Sequence, residues 1–392
     1  MSDSKKTQQQ ELQASLNQLR QNDRTKEYMD LSNRGLSNTQ AVEVANALRQ
    51  NEVLKRLNLS FNNIGDEGAK ALAHTLQKNR TLRKLNLFSN KIGPEGSLEL
   101  ARAFQTNSTL CEIDLGKNYV RQEGAERIAD ALRINTSLTS LDLRDNSLND
   151  EGTKCLAQAL GDNQTLQKLD LRWNKIGALG AIDIANMLKT NKGLRVLSIK
   201  ENDVGADGAA ELAAALRENS TLEELDISQN CIRDQGAEQI ADALHHNFSL
   251  KSLNLYSNEI GDHGAVTIAE MLKHNKALTK ITLFSNNIGD EGAYELLHSL
   301  RDYNETLTSL GVGGLFNFAT REKIKKEIET LCERNKNGGT MPPSTTSKRR
   351  LFSASTEPQL WKGSPHLRQR STFEQRKLIL PLVVTFISYE SG

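Results

Sequence analysis

The chain is poor in the residues that interrupt or staple a fold. Of its six prolines, Pro94 alone precedes residue 337, so the backbone runs through most of its length without a residue that removes an N–H and fixes φ. Four cysteines, Cys111, Cys155, Cys231 and Cys332, stand far apart with no C-x-x-C pair. That spacing excludes a disulfide framework and a cysteine zinc site and suits a reducing compartment. Fifty basic residues against 49 acidic ones leave a net charge of +1, which excludes the basic footprint of a nucleic-acid binder. The longest apolar run, residues 378–387, is too short to span a bilayer and is broken by Pro381. The first 25 residues lack the apolar core of a signal peptide. A cytoplasmic protein with neither membrane nor nucleic-acid partner is expected. The G-x-x-x-x-G-K-[ST], G-x-S-x-G and H-E-x-x-H motifs are missing, and the seven histidines are scattered. No cofactor, metal or catalytic residue is therefore expected, and no enzymatic activity.

What is present is a period. Nine stretches opening at Leu54, Leu82, Leu110, Leu138, Leu166, Leu194, Leu222, Leu250 and Leu278 repeat one 28-residue pattern, L-x-x-L-x-L-x-x-N-x-I/L/V. Each carries asparagine eight residues on: Asn62, Asn90, Asn118, Asn146, Asn174, Asn202, Asn230, Asn258 and Asn286. Within the first unit, Leu57 and Leu59 alternate with Asn58 and Ser60, the period of a short strand with one buried face. Asn62 stands where the strand turns away, and its amide suits the backbone groups of a bend and of the stacked neighbour. Ala69, Leu72, Ala73 and Leu76 then form one face of a helix, with Asp66 as the expected N-cap. Gly68 and its equivalents imply close packing at the helix start. The pattern predicts an α/β leucine-rich repeat solenoid: a parallel sheet on the concave face of a horseshoe and helices on the convex face.

The ends are atypical, as terminal units that seal an open core should be. Residues 8–22 read as a polar helix with Leu12, Leu16 and Leu19 on one side. Arg34 replaces the ladder asparagine in an N-terminal cap over 26–53; Asn304 arrives one residue late, Leu315 stands at the asparagine position, and residues 319–335 read as a closing helix. The division expected is 1–25, a polar helix; 26–336, the repeat domain with nine units over 54–306 and a C-terminal cap over 307–336; and 337–392, a disordered basic tail. That tail carries eight Lys/Arg against three Glu, leaving the body at −4. The N-x-S/T triplets at Asn79, Asn107, Asn135, Asn163, Asn219, Asn247 and Asn304 fall on one repeat position just after a helix, so repeat geometry accounts for them without secretion.

Function is sought in the columns that vary. Two residues before the ladder asparagine stand Ser60, Phe88, Gly116, Arg144, Arg172, Lys200, Ser228, Tyr256 and Phe284; the next column adds Phe61, Asp145, Trp173 and Glu201. Exposed aromatics are costly unless covered, and Trp, Tyr and Arg dominate binding hot spots. Phe61, Phe88, Arg144, Arg172, Trp173, Lys200, Tyr256 and Phe284 are thus the candidate partner-binding set, centred on Arg144, Arg172, Trp173 and Lys200. The competing reading is that these side chains only shield the sheet. A third column, including Asp114, Asp142, Asp170 and Asp226, is polar and places carboxylates near the central cations. Lys55, Arg56, Arg83 and Lys84 form a basic edge, Glu223 and Glu224 an acidic patch; opposite-sign zones favour an oriented protein partner.

The pattern over residues 54–81, L-x-x-L-x-L-x-x-N-x-I-G-D-E-G-A-x-x-L-A-x-A-L-x-x-N-x-T, resembles the ribonuclease-inhibitor-like class of leucine-rich repeats. Its units look most like those of NLR-type receptors and of small repeat-only relatives. The resemblance implies a non-enzymatic scaffold that binds a protein partner on the concave face, with a role in NLR-like signalling or regulation. The same repeat class occurs in Ran GTPase-activating proteins, which implies the alternative of a GTPase activator with a small GTPase as partner; the basic tail departs from their acidic one. In the tail, residues 348–352 resemble R-x-L-F docking motifs.

Overall fold

The computed structural model describes residues 3–314 and 318–339. Leu315 and residues 340–392, with the 348–352 motif and the 378–387 run, lie outside the described residues. Strands and helices alternate from end to end: α1 (Asp3–Arg20), β1 (Tyr28–Asp30), α2 (Asn38–Leu48), β2 (Arg56–Asn58), α3 (Asp66–Leu76), β3 (Lys84–Asn86), α4 (Pro94–Phe104), β4 (Glu112–Asp114), α5 (Arg121–Leu132), β5 (Ser140–Asp142), α6 (Asn149–Asp162) and β6 (Lys168–Asp170). They continue as α7 (Ala178–Thr190), β7 (Val196–Ser198), α8 (Gly205–Glu218), β8 (Glu224–Asp226), α9 (Arg233–Leu244), β9 (Ser252–Asn254), α10 (Asp262–His274), β10 (Lys280–Leu283), α11 (Asp290–Asp302), β11 (Ser309–Val312) and α12 (Phe318–Lys336). All strands join one parallel sheet in sequence order. Equivalent residues pair directly, as in Arg56↔Lys84, Leu57↔Leu85 and Asn58↔Asn86. The last step, Lys280↔Ser309, absorbs the extra residue of the final unit by lengthening the connection rather than shifting the register.

Apolar side chains from both halves of each unit meet between sheet and helices. In the first, Leu54, Leu57, Leu59, Ile64, Leu72 and Leu76 are all buried. The ends close as the atypical units require: Leu12, Leu16 and Leu19 of α1 and Ile324, Ile328 and Leu331 of α12 belong to the same core. Paired strands lie about 4.8 Å apart whereas packed helices need about 8–10 Å, so the sheet takes the inner side of the curve.

Two asparagine series tie neighbouring units together. The Asn62 amide Nδ2 donates to Leu31 O and Leu59 O at 3.0 and 2.9 Å, while Oδ1 accepts from Arg34 N and Leu36 N at 3.1 and 3.0 Å. A second series follows each helix. Asn79 Nδ2 donates to Leu48 O and Asn51 O, and its Oδ1 accepts from Thr81 N and Leu82 N. Asn79, Asn107, Asn135, Asn163, Asn219, Asn247 and Asn304 are all buried and donate to backbone carbonyls in this way.

The helix starts correct one expectation. Asp66 does not cap its own helix: Gly65 is the N-cap of α3, and the Asp66 carboxylate accepts from Gly93 N and Gly96 N at 2.6 and 2.9 Å, at the start of the following helix. Asn38, Asp150, Asp234 and Asp262 do the same for the helix after their own. Where Pro94, Gln122, Ala178 or Ala206 stands at this position, the next helix begins instead with Arg121, Asn149, Gly205 or Arg233 at φ between 56° and 64°. A side-chain oxygen from the preceding unit thus selects the backbone form of the next helix start. The recurring glycine is enforced at the same place, because a Cβ on Gly96 would stand 2.7 Å from Asp66 Oδ1 and 2.9 Å from Ile92 Cγ2. Asp66→Ala is expected to lower the unfolding free energy by about 1 kcal/mol, the usual worth of a helix cap, read as a lower urea midpoint.

Candidate protein-interaction surface

Regular strands occupy only three residues in most units, so the two variable columns lie just beyond them. Interstrand bonding nevertheless continues, with Phe61 N donating to Phe88 O at 2.8 Å. The column that holds Phe61 and Trp173 is left-handed in every unit, with φ of 55° and 54° at these two. A bulky side chain with positive φ is an unfavourable choice, and both residues spend that choice on exposed rings: Phe61 is 53% and Trp173 42% exposed.

The eight candidate residues fall into three groups. Phe61 and Phe88 meet edge to face with centroids 5.2 Å apart, and the Arg144 guanidinium lies 4.5 Å from the Phe88 centroid. Gly116 makes room between them, since a Cβ there would sit 2.8 Å from Arg144 Cγ and 3.0 Å from Phe88 Cδ2. In the second group Trp173 is flanked by Arg172 at 5.9 Å and Lys200 at 5.7 Å, and its indole N–H donates to Glu201. Such cation–ring contacts are worth about 0.5–1 kcal/mol at exposed sites. Tyr256 and Phe284 stand apart from both groups, on the turns after β9 and β10, with Phe284 packed over Gly311 and Gly313. Ser60 and Ser228, in the same column, are buried and present nothing to a partner.

Beside these rings, the strands carry a row of carboxylates, Asp114 and Asp142 half-buried and Asp170 buried. Arg144 reaches Asp114 and Asp142, each at 3.4 Å, and Arg172 grips Asp170 with contacts of 2.6 and 2.9 Å. Two guanidiniums thus serve three aspartates stacked on adjacent strands. Burial, reinforced by Asp114 and Asp170, pushes Asp142 up to about 7. Burial also raises Asp114, and the bond to Asp170 raises Arg172. The row lines a trough of about 350 Å³ over β1–β6 that includes Tyr28, Arg56, Lys84, Glu112 and Lys168. Sequence reasoning placed the aspartates near the arginines but missed the trough and the raised Asp142 carboxyl. The signal was the run of Asp114, Asp142 and Asp170 at the repeat spacing. The four cysteines are free thiols. No helix among the described residues is long and apolar enough to cross a membrane.

Parallel sheet, helical outer layer and asparagine ladders define the chain as a leucine-rich repeat protein. The family model described as "TMOD/LMOD Leucine-rich domain" matches residues 8–122, and "Leucine Rich repeat" matches 135–157, 162–185, 190–213, 218–241, 246–269 and 274–297. Among solved structures, the chain is similar to the yeast complex of Rad7 and Elc1, at 19% identity and TM-score 0.53, covering 75% of this chain and 71% of that one; the likeness is one of fold. It is also similar to "Leiomodin-1 Actin-Binding Site 2 (ABS2)", at 25% identity and TM-score 0.32, covering 45% of this chain and 87% of that one. For the tropomodulin C-terminal domain of Caenorhabditis elegans the identity is 20% and the TM-score 0.34, with coverage of 39% and 92%. No curated protein sequence matches.

Proposed function

We propose that this chain is a non-enzymatic cytoplasmic scaffold that binds a protein partner on the inner wall of its repeat domain, residues 26–336, with 1–25 as a cap and 337–392 as an appended tail. The observation that carries this reading is the pair of exposed rings, Phe61 and Trp173, held at a left-handed position where a small or amide side chain would be cheaper. A shielding role alone gives no reason to accept that backbone cost on a face whose apolar sheet residues are already buried. Around Trp173, Arg172 and Lys200 supply the aromatic and cationic mixture typical of hot spots. An interface of about 800 Å² per side needs only a few adjacent units.

The double variant Trp173→Ala/Arg172→Ala is expected to lose capture of the main cellular partner without a lower melting temperature. Affinity purification with mass spectrometry, beside thermal unfolding, checks this; unchanged capture, or loss of folding, removes the inner wall as the site. Because residues 8–122 match the TMOD/LMOD domain, actin, named in the leiomodin-1 fragment's description, is the defined probe to assay first. Placement among ribonuclease-inhibitor-like and NLR-type repeats rests on the motif resemblance, as does the alternative of a GTPase activator. GTP hydrolysis by Ran with and without the chain tests the latter, and no acceleration removes it.

A further inference from the structure

The seven histidines are scattered along the sequence, yet the fold brings two of them together in the helical layer. His245 follows α9 as its C-cap and His274 is the last residue of α10, so their rings stand at the C-terminal ends of neighbouring helices. The ring centroids are 5.4 Å apart and the planes are tilted by 47°. Aromatic packing prefers an offset stack or an edge-to-face contact, and this pose is neither. The separation is instead that of two imidazoles sharing an ion: a metal about 2.0–2.1 Å from one nitrogen of each, in tetrahedral geometry, holds the centroids about 5 Å apart.

Hydrogen bonding and charge suit the same role. His274 Nδ1 lies 3.2 Å from Glu270 O; a carbonyl only accepts, so Nδ1–H donates and Nε2 keeps its lone pair. A backbone carbonyl on the second ring nitrogen is a common companion of a metal-ligating histidine. Among the described residues the His245 ring has no hydrogen-bonding partner, which leaves its nitrogens available. Both helix ends present carbonyls without intrahelical partners, and these favour a cation. The Glu270 carboxyl is held below its usual range first by its bond to Lys273, with His274 and His245 adding to the effect, so negative charge stands beside both rings. The Lys273 ammonium is drawn toward α11, 5.5 Å from the ring of its C-cap residue Tyr303. Among the described residues no group of three or more His, Cys, Asp or Glu could hold a metal, so the protein supplies two ligands here. We propose that His245 and His274 form a two-histidine site for a divalent transition-metal ion of the Zn²⁺ and Cu²⁺ class, clamping α9 to α10, with water in the remaining positions. The site lies in the helical layer and is independent of the inner-wall reading.

The test adds Zn²⁺ or Cu²⁺ alone to the full chain without an affinity tag. Calorimetry is expected to show saturable uptake of one Zn²⁺ per chain. The electron paramagnetic resonance spectrum of one equivalent of Cu²⁺ is expected to show coupling to two imidazole nitrogens. His245→Ala and His274→Ala each weaken uptake at least about tenfold, since losing even the outer partner of a ligating histidine costs about that much. His245 is half-buried and His274 exposed, so thermal unfolding without metal shows both variants folded like the wild type. With Zn²⁺ the wild-type melting temperature rises, because the ion binds only the folded pair of helix ends, and that of either variant does not. Trp173→Asn takes up Zn²⁺ as the wild type does. Equal uptake by the wild type and either histidine variant, a copper spectrum without two-nitrogen coupling, or an unmoved wild-type melting temperature overturns the proposal.

Discussion

Asn174→Ala is expected to lower the unfolding free energy by about 3–5 kcal/mol, counting about 1–3 kcal/mol for each buried group left unpaired and allowing for partial relaxation. The side chain is fully buried. Its Oδ1 accepts from Asn146 N at 3.0 Å and Leu148 N at 3.3 Å, and its Nδ2 donates to Leu143 O at 2.9 Å and Arg172 O at 3.1 Å. Alanine leaves Asn146 N, Leu148 N and Arg172 O without these bonds, while Leu143 O keeps the one from Asn146 Nδ2 at 3.0 Å. Since each unit of a solenoid is stabilised mainly by its neighbours, the lesson would be visible as a broadened or two-step urea transition. A loss below about 1 kcal/mol would mean that the ladder is dispensable and that apolar stacking alone holds the units in register.

Asp142→Asn is expected to act in the opposite direction, raising stability at pH 8 by about 2 kcal/mol and changing little at pH 4. The native carboxyl holds its proton up to about 7, against an ordinary value of 3.8. Between those two pH values the native state binds more protons than the unfolded chain, so this group's contribution falls as pH rises through that window and is fully unfavourable above it. Three pH units correspond to about 4 kcal/mol at most, and part of it is retained because burial, the largest cause of the shift, also costs the asparagine amide that replaces the carboxyl. Asparagine keeps the acceptor for Arg144 N and removes the surplus charge. Urea midpoints at pH 4, 6 and 8 decide it; an Asp142→Asn protein less stable than wild type at pH 8 would show that Arg144 fully compensates both of its aspartates.

Most of the frame was legible in the 28-residue period, because strand alternation, ladder and helix face all recur in one register. Legibility ended where a residue acts on its neighbour rather than on its own unit. Asp66 read as the cap of the helix that contains it; its carboxylate reaches Gly93 and Gly96 because stacking brings the next helix start within bonding distance. The left-handed conformation at Phe61 and Trp173 was hidden for a different reason: a polar column of Ser, Lys, Asp, Glu and Gln at the other units tolerates many backbone forms, so the residue types did not reveal it. For the aspartate row, the sequence showed which charges lie near one another. It did not show that two guanidiniums divide among three carboxylates that are buried or half-buried, which depends on side-chain reach and burial.

The inner wall is tested most directly by titrating the captured partner into wild-type protein and into Trp173→Asn by calorimetry, with thermal unfolding measured on the same samples. Asparagine accepts positive φ more readily than tryptophan, so the melting temperature should hold or rise, while the dissociation constant should increase at least about 30-fold, the loss of a hot spot worth about 2 kcal/mol. Equal affinity in the two proteins, with the fold intact, would contradict the account.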